Sequence, residues 1–268
     1  SAADNNVALG AYAGETATTV FNSTLIGTFA GGSAAITSAA EGITAVGYGA
    51  LKVLTSGIGN VAIGSGSMAT NATSDYNTAV GTAALSKLTN DGNTRNTAVG
   101  WHAGLALTTG TDNVVVGAMA GDALTTASSS VALGQGALGS VTTGNKNIAV
   151  GAGAMNGGTT TGDHNIAIGS NAGDALTSGK QNVFMGANAG GAITTGGDNT
   201  IIGSDALDLA TTADGCIFIG KDAGGSLNAG VAFTGVTAIG VQAVLGGGTE
   251  TTGINYTTAI GYRALEGI

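Results

Sequence analysis

A five-residue phrase ending in glycine occurs fifteen times in this chain, as in Asn60 to Gly64 and Asn165 to Gly169. Its closing glycines run from Gly10 and Gly27 to Gly240 and Gly261; the commonest interval is 17 residues and the others are 18 to 21. A short fixed period is the signature of a solenoid, in which one small unit recurs and buries its apolar face only against its neighbours. Seventeen residues with two or more glycines cannot hold two helices, because each glycine costs about 1 kcal/mol inside a helix. Collagen is excluded, since glycine does not fall at every third position and proline is absent. Disorder is excluded too: 43% of residues are hydrophobic and they fall at fixed places.

We number the phrase so that its glycine is position 5. Position 4 is a large aliphatic in every repeat, from Leu9 and Ile26 to Ile239 and Ile260, and position 2 is Val, Ile or Thr. Side chains alternate along a strand, so positions 2 and 4 share a face. The invariance of position 4 predicts that this face is the buried one. Position 3, usually Ala but Phe184, Ile201 and Phe218 in three successive repeats, is then expected to face outward, against neighbouring chains or a second layer of the coil. Position 5 is expected to need a positive φ or a tight bend. Position 8, Ala in every repeat but the one holding Ser67, marks a second inward segment. Pairs such as Thr108-Thr109 before Gly110 read as closing turns. Asn stands at position 1 in nine repeats; stacking would set these amides in a ladder about 4.8 Å apart. The expected fold is therefore all-β: a parallel β-solenoid of about fifteen 17-residue coils, one repeat domain over residues 1–268. The start at Ser1 reads as that of a segment of something longer.

The composition also limits function. The net charge of -9 and the scattered basic residues argue against nucleic acid. No apolar run reaches the length of a membrane span. Glycine abundance is not a phosphate loop, because no Gly-Lys-Ser/Thr follows, and no cofactor is expected. His102 and His164 have no partner at metal-ligand spacing, and Cys216, the single cysteine, cannot form an intrachain disulfide.

Asn-Thr-Ala-Val-Gly (Asn77 to Gly81), Asn-Ile-Ala-Ile-Gly (Asn165 to Gly169) and Thr-Ala-Ile-Gly-Tyr-Arg-Ala-Leu (Thr258 to Leu265) resemble the repeats of bacteriophage tail-fibre proteins, which often precede a self-cleaving chaperone domain. They are also similar to the head repeats of YadA-type trimeric autotransporter adhesins, whose unit is shorter, so the 17-residue repeat fits the phage fibres better. The resemblance covers nearly the whole chain. It implies left-handed coils side by side or intertwined in a homotrimer, at a virion surface or outside a bacterium. It also implies attachment to a host receptor, a glycan being one candidate; the residues themselves give no reason to expect enzymatic activity.

Several residues stand out as candidate sites. Asp205 and Asp222 occupy position 7 of successive coils, where two close carboxylates could bind a cation; as a metal site the pair is a weak candidate beside two solvated turn residues. Irregular repeats around 32–41, 89–95, 227–235 and 246–256 are expected to emerge as loops, often on a binding face. Within and beside the second of these, Asp91, Asn93, Arg95 and Trp101 are candidate receptor contacts. Other function classes are an ice-binding solenoid using the Thr-Thr pairs as a ladder, and a polysaccharide-degrading spike, which no cleft-forming carboxylates and sugar-stacking aromatics support.

Overall fold

The computed structural model of the chain describes residues 5–15, 20–32, 40–227, 230–245 and 254–267. Every element among them is a strand, and each of the fifteen phrases forms one of three residues at positions 2 to 4. The chain is a parallel β-solenoid of about 14 turns. Its contacts divide it into two compact units, Ser1–Ala132 and Leu133–Ile268.

In the first unit, Val7–Leu9, Thr24–Ile26, Thr44–Val46, Val61–Ile63, Thr78–Val80, Thr97–Val99 and Val114–Val116 pair in chain order, all parallel. In the second, Ile148–Val150, Ile166–Ile168, Val183–Met185, Thr200–Ile202, Ile217–Ile219, Thr237–Ile239 and Thr258–Ile260 do the same. The register never slips: Ala62 lies on Ala79 and Ala167 on Phe184, so each position of the phrase stacks on itself.

The inside and the outside of the coil are the reverse of the sequence expectation. Position 3 is the buried one, from Leu25, Ala45 and Ala62 to Phe218, Ala238 and Ala259. Position 4 is buried in no described repeat: Ile63 is 38% exposed and Met185 40%. The reason is the width of the coil. Opposite position 3 lie the Ala of position 8, the residue of position 9, and often a Leu or Ile at position 12, such as Leu54, Leu107 and Ile193, all buried. Such a narrow space mostly takes a methyl at position 3, and larger groups such as Leu25, Phe184 and Phe218 where position 9 is glycine, so the aliphatics of position 4 are left outside.

Positions 3 and 9 share that space, in most coils reciprocally; Ile201 and Leu207, both large and buried, are an exception. Where position 3 is Ala45, Ala62, Ala79, Ala132 or Ala149, position 9 is Leu51, Met68, Leu85, Leu138 or Met155. Where position 3 is Leu25, Phe184 or Phe218, position 9 is Gly31, Gly190 or Gly224, and a Cβ there would stand 2.8, 2.5 or 2.5 Å from the large side chain. Gly104 and Gly173 face alanines of their own coils, but Leu85 and Phe184 from adjacent coils fill the room. Position 9 has a left-handed backbone, with φ from +45° to +49° at the buried Leu51, Met68, Leu85 and Leu207. That conformation costs a side-chain-bearing residue about 1–2 kcal/mol, so filling the core outweighs backbone ease in those coils.

The asparagine ladder forms as expected. Within the first unit, Asn77 N–H and Nδ2 donate to Asn60 Oδ1 at 2.9 and 3.1 Å, and Asn113 does the same to Asn96 at 3.0 and 3.0 Å. Within the second, Asn182 donates to Asn165 and Asn199 to Asn182. Most Nδ2 groups also donate to a carbonyl across their own coil, as Asn165 does to Gly179 at 2.9 Å, whereas Asn77 turns to the nearby Asp75 carbonyl at 3.1 Å. The amides are buried and satisfied on both sides, as a buried polar group requires. Position 5 is glycine for two reasons. At Gly169 φ is +137°, and a Cβ would meet the carbonyl oxygen of Gly186 at 2.4 Å.

The irregular repeats do not simply bulge. Gly92–Asn93 pairs in parallel with Ser74–Asp75, Ala40–Glu41 with Val20–Phe21, and Ala232–Thr234 with Thr212–Asp214. The longer coils thus rejoin their neighbours in a second short sheet before the next phrase begins. Most of 32–41 and 246–256, with residues 228 and 229, lie outside the described residues.

Candidate functional site

The in-register stacking turns the outward side chains into continuous rows. In the first unit the position-4 row runs Leu9, Ile26, Val46, Ile63, Val80, Val99, Val116; in the second it runs Leu133, Val150, Ile168, Met185, Ile202, Ile219, Ile239, Ile260. The position-2 row beside it mixes Val and Ile with threonines such as Thr78, Thr97, Thr200 and Thr237. Rows in a parallel sheet repeat at about 4.8 Å. Scattered exposed aliphatics need no explanation, but contiguous exposed apolar strips are uncommon on monomeric proteins. No charged residue interrupts either row, so nothing in them opposes close approach of an apolar partner.

The residues singled out in the sequence are more self-contained than their types suggested. Arg95 Nε and Nη2 hold both carboxylate oxygens of Asp112, at 2.7 and 3.1 Å, from one coil to the next. That guanidinium keeps the Asp112 carboxyl below the usual carboxylate range, and the carboxylate raises Arg95 in turn. Asp91 accepts a hydrogen bond from the Thr73 hydroxyl. Asn93 is exposed on the short strand paired to Ser74–Asp75. Trp101 is 49% exposed and stacks on its neighbour His102, ring centroids 4.0 Å apart.

Asp205 and Asp222 each have a donor of their own. Asp205 accepts from Asn188 Nδ2 and Ser204 Oγ, both at 2.8 Å, and these bonds, Asn188 first, lower its pKa. Lys221 Nζ lies 3.2 Å from Asp222. Among the described residues no three His, Cys, Asp or Glu side chains gather as a metal site. Position 7 is left-handed throughout, φ +54° at Asn171 and Asp222 and +57° at His102. Asn and Asp tolerate that conformation best among residues with a Cβ, which accounts for much of the polar row. Cys216 closes the asparagine ladder, its N–H donating to Asn199 Oδ1 at 2.9 Å; burial pushes its thiol pKa up.

The outward rows escaped the sequence reading although a signal for them existed. The exchange of bulk between positions 3 and 9 places both inside, which leaves positions 2 and 4 outside. No family model matches the chain, and no curated protein matches it significantly. No helix among the described residues is long and apolar enough to cross a membrane.

Proposed function

We propose that this chain is a structural and adhesive fibre segment, of the kind found in phage tail fibres, that assembles as a homotrimer and helps attach a virion to its host receptor. The observation that carries this reading is the pair of uncharged outward rows at positions 2 and 4. A monomeric coil has no use for them in water. Three copies meeting along these faces would bury them, with the thin alanine-lined interior of each coil left to stacking alone. The interface therefore moves from position 3, where the sequence had placed it, to positions 2 and 4. Left-handed coiling and location at the virion surface come from the resemblance to tail-fibre repeats. An adhesin head on a bacterial surface would use the same architecture.

The test is oligomer mass by light scattering, with resistance to SDS, for the native chain and for Ile168→Lys. Ile168 faces out and Ala167 faces in. A trimer that Ile168→Lys converts to a folded monomer supports the reading; a monodisperse native monomer refutes it.

One observation favours a second reading, ice binding. The Thr-Thr pairs first considered are engaged, since the hydroxyls of Thr108, Thr177 and Thr194 donate to carbonyls of the next coil at 3.0, 2.8 and 3.0 Å. The outward face, however, carries Thr at position 2 in seven of the fifteen coils, among them Thr78 and Thr97 in succession, each beside an aliphatic at position 4. Thermal hysteresis separates the two readings, because an interface buried in a trimer gives none.

A further inference from the structure

The second unit carries an open cleft of about 310 Å³ lined by Asn171, Asp174, Asn188, Gly191, Ala192 and Asp208. Its origin is a gap in one column. Position 10 holds Asp174, Gly191 and Asp208 in three successive coils. Gly191, without a side chain, leaves a notch with a carboxylate in the coil before it and another in the coil after. The position-7 amides of Asn171 and Asn188 line the same notch, each set by a left-handed backbone at φ +54° and +55°.

Asp208 supplies an acceptor that the chain itself leaves unpartnered. Its Oδ1 is buried and receives no hydrogen bond among the described residues. An orphaned buried acceptor calls for a donor from outside the chain. Burial, then the negative charges of Asp205 and Asp222, push the Asp208 carboxyl pKa up, although its own backbone N–H works the other way. The cleft lining contains no cation of its own.

The spacing decides which kind of donor fits. Two coils separate Asp174 from Asp208, about 10 Å along the stack at 4.8 Å per strand. A single hard cation binds its oxygens at about 2.3–2.6 Å and wants six or more, and among the described residues no three carboxylate, imidazole or thiol side chains gather to supply them. A ring bearing several hydroxyls can span that distance. Its hydroxyls donate to the carboxylates and both give and take hydrogen bonds with the amides, which offer donors and acceptors together. The volume lies at the small end of small-ligand sites.

We propose that this cleft is a binding subsite for a neutral pyranose unit, held by Asp174 and Asp208 as acceptors and by Asn171 and Asn188 as mixed partners. The proposal gives the receptor contact of the fibre reading a chemical class, and only its biological use rests on that reading.

The experiment is saturation-transfer NMR with the full chain and the methyl pyranosides of glucose, galactose, mannose and N-acetylglucosamine, with calcium chloride titrated separately. At least one glycoside should bind. Asp208→Ala should weaken it about tenfold, the loss expected for one hydrogen bond to a charged acceptor. Asn171→Gly, which removes the amide and keeps the left-handed backbone easy, should do likewise. Asp122→Ala, at the same coil position in the first unit, should leave binding unchanged. Failure of every glycoside to bind, binding insensitive to both cleft variants, or Asp208-dependent binding of calcium alone overturns the proposal. Oligomer mass read on the same samples keeps the readings apart. A trimer without sugar binding loses the subsite and keeps the fibre; a monomer that binds sugar through Asp208 does the reverse.

Discussion

Exchanging bulk between Phe184 and Gly190 tests how the core is built. Phe184 is fully buried, and its ring would lie 2.5 Å from a Cβ at Gly190 and 2.6 Å from one at Gly173. Phe184→Ala should cost about 3–5 kcal/mol, as large cavities do. Gly190→Leu alone should cost about 2–5 kcal/mol: about 1–3 for overpacking against the ring and about 1–2 for a bulky residue at φ +58°. Together the changes recreate the arrangement of Ala79 and Leu85, where a leucine at φ +49° fills the room an alanine leaves. The double variant should therefore lose much less than the sum, with a favourable coupling of about 2 kcal/mol or more. Rescue stays partial because the space beside Gly173 is refilled only in part. Solenoids need not unfold in one step, so the readout is amide hydrogen exchange at Gly186 and Gly203, whose N–H groups bond Ile168 and Met185 in the adjacent coils, with thermal melting of the full chain beside it. Losses that add within about 0.5 kcal/mol would refute a shared interior of positions 3 and 9.

Other perturbations probe the remaining rows. Gly169→Ala should destabilise by more than about 2 kcal/mol in thermal melting, since φ is +137° and the new Cβ would strike the Gly186 carbonyl at 2.4 Å; an unchanged melting temperature would show that adjacent coils part easily. Asn182→Leu removes the acceptor for Asn199 N–H and Nδ2 and the donor to Asn165 Oδ1. Each unsatisfied buried group costs about 1–3 kcal/mol, so exchange at Asn199 should accelerate sharply, and protection equal to the native chain would contradict the ladder's role. Asp208→Asn should raise stability at neutral pH. A carboxyl whose folded pKa is raised binds more protons folded than unfolded, so stability falls as pH climbs from about 4 through the folded value. The gain should fade below that window, and equal melting of both proteins at pH 7 would remove burial of Asp208 as a liability. Asp112 works in the opposite sense: its lowered pKa adds stability that is lost as pH falls through its folded value. Arg95→Ala should flatten that acid-side loss, and an unaltered pH profile would speak against the pair.

Which face of a strand points inward is the part of this fold that the phrase itself leaves undetermined. Period-two alternation placed positions 2 and 4 together and position 3 opposite, and the strands lie where it put them, down to Ile166–Ile168. Period, strand location, glycine bend and asparagine ladder were all legible because each depends on backbone geometry within one repeat. Orientation depends on the width of the closed coil, which is set by residues a strand pattern does not include. Large and invariant side chains were read as core, a rule that holds where a chain buries its own apolar surface. Here the coil is too thin for that, and the rule selected the wrong face. The same inference put the expected association face at position 3, which is buried. The cleft at Gly191 was harder still to see, because a missing side chain is informative only once Asp174 and Asp208 are known to stack on either side of it. Position 9 held the evidence that resolves orientation. A site that alternates between Gly and Leu or Met, against Phe or Ala six residues earlier, is one of two occupants of a fixed volume. Two positions that trade bulk must face each other, and in a closed coil residues that face each other are inside. The same test applies to any thin solenoid: covariation of size across the coil within one sequence identifies the interior, and the large side chains left over lie outside.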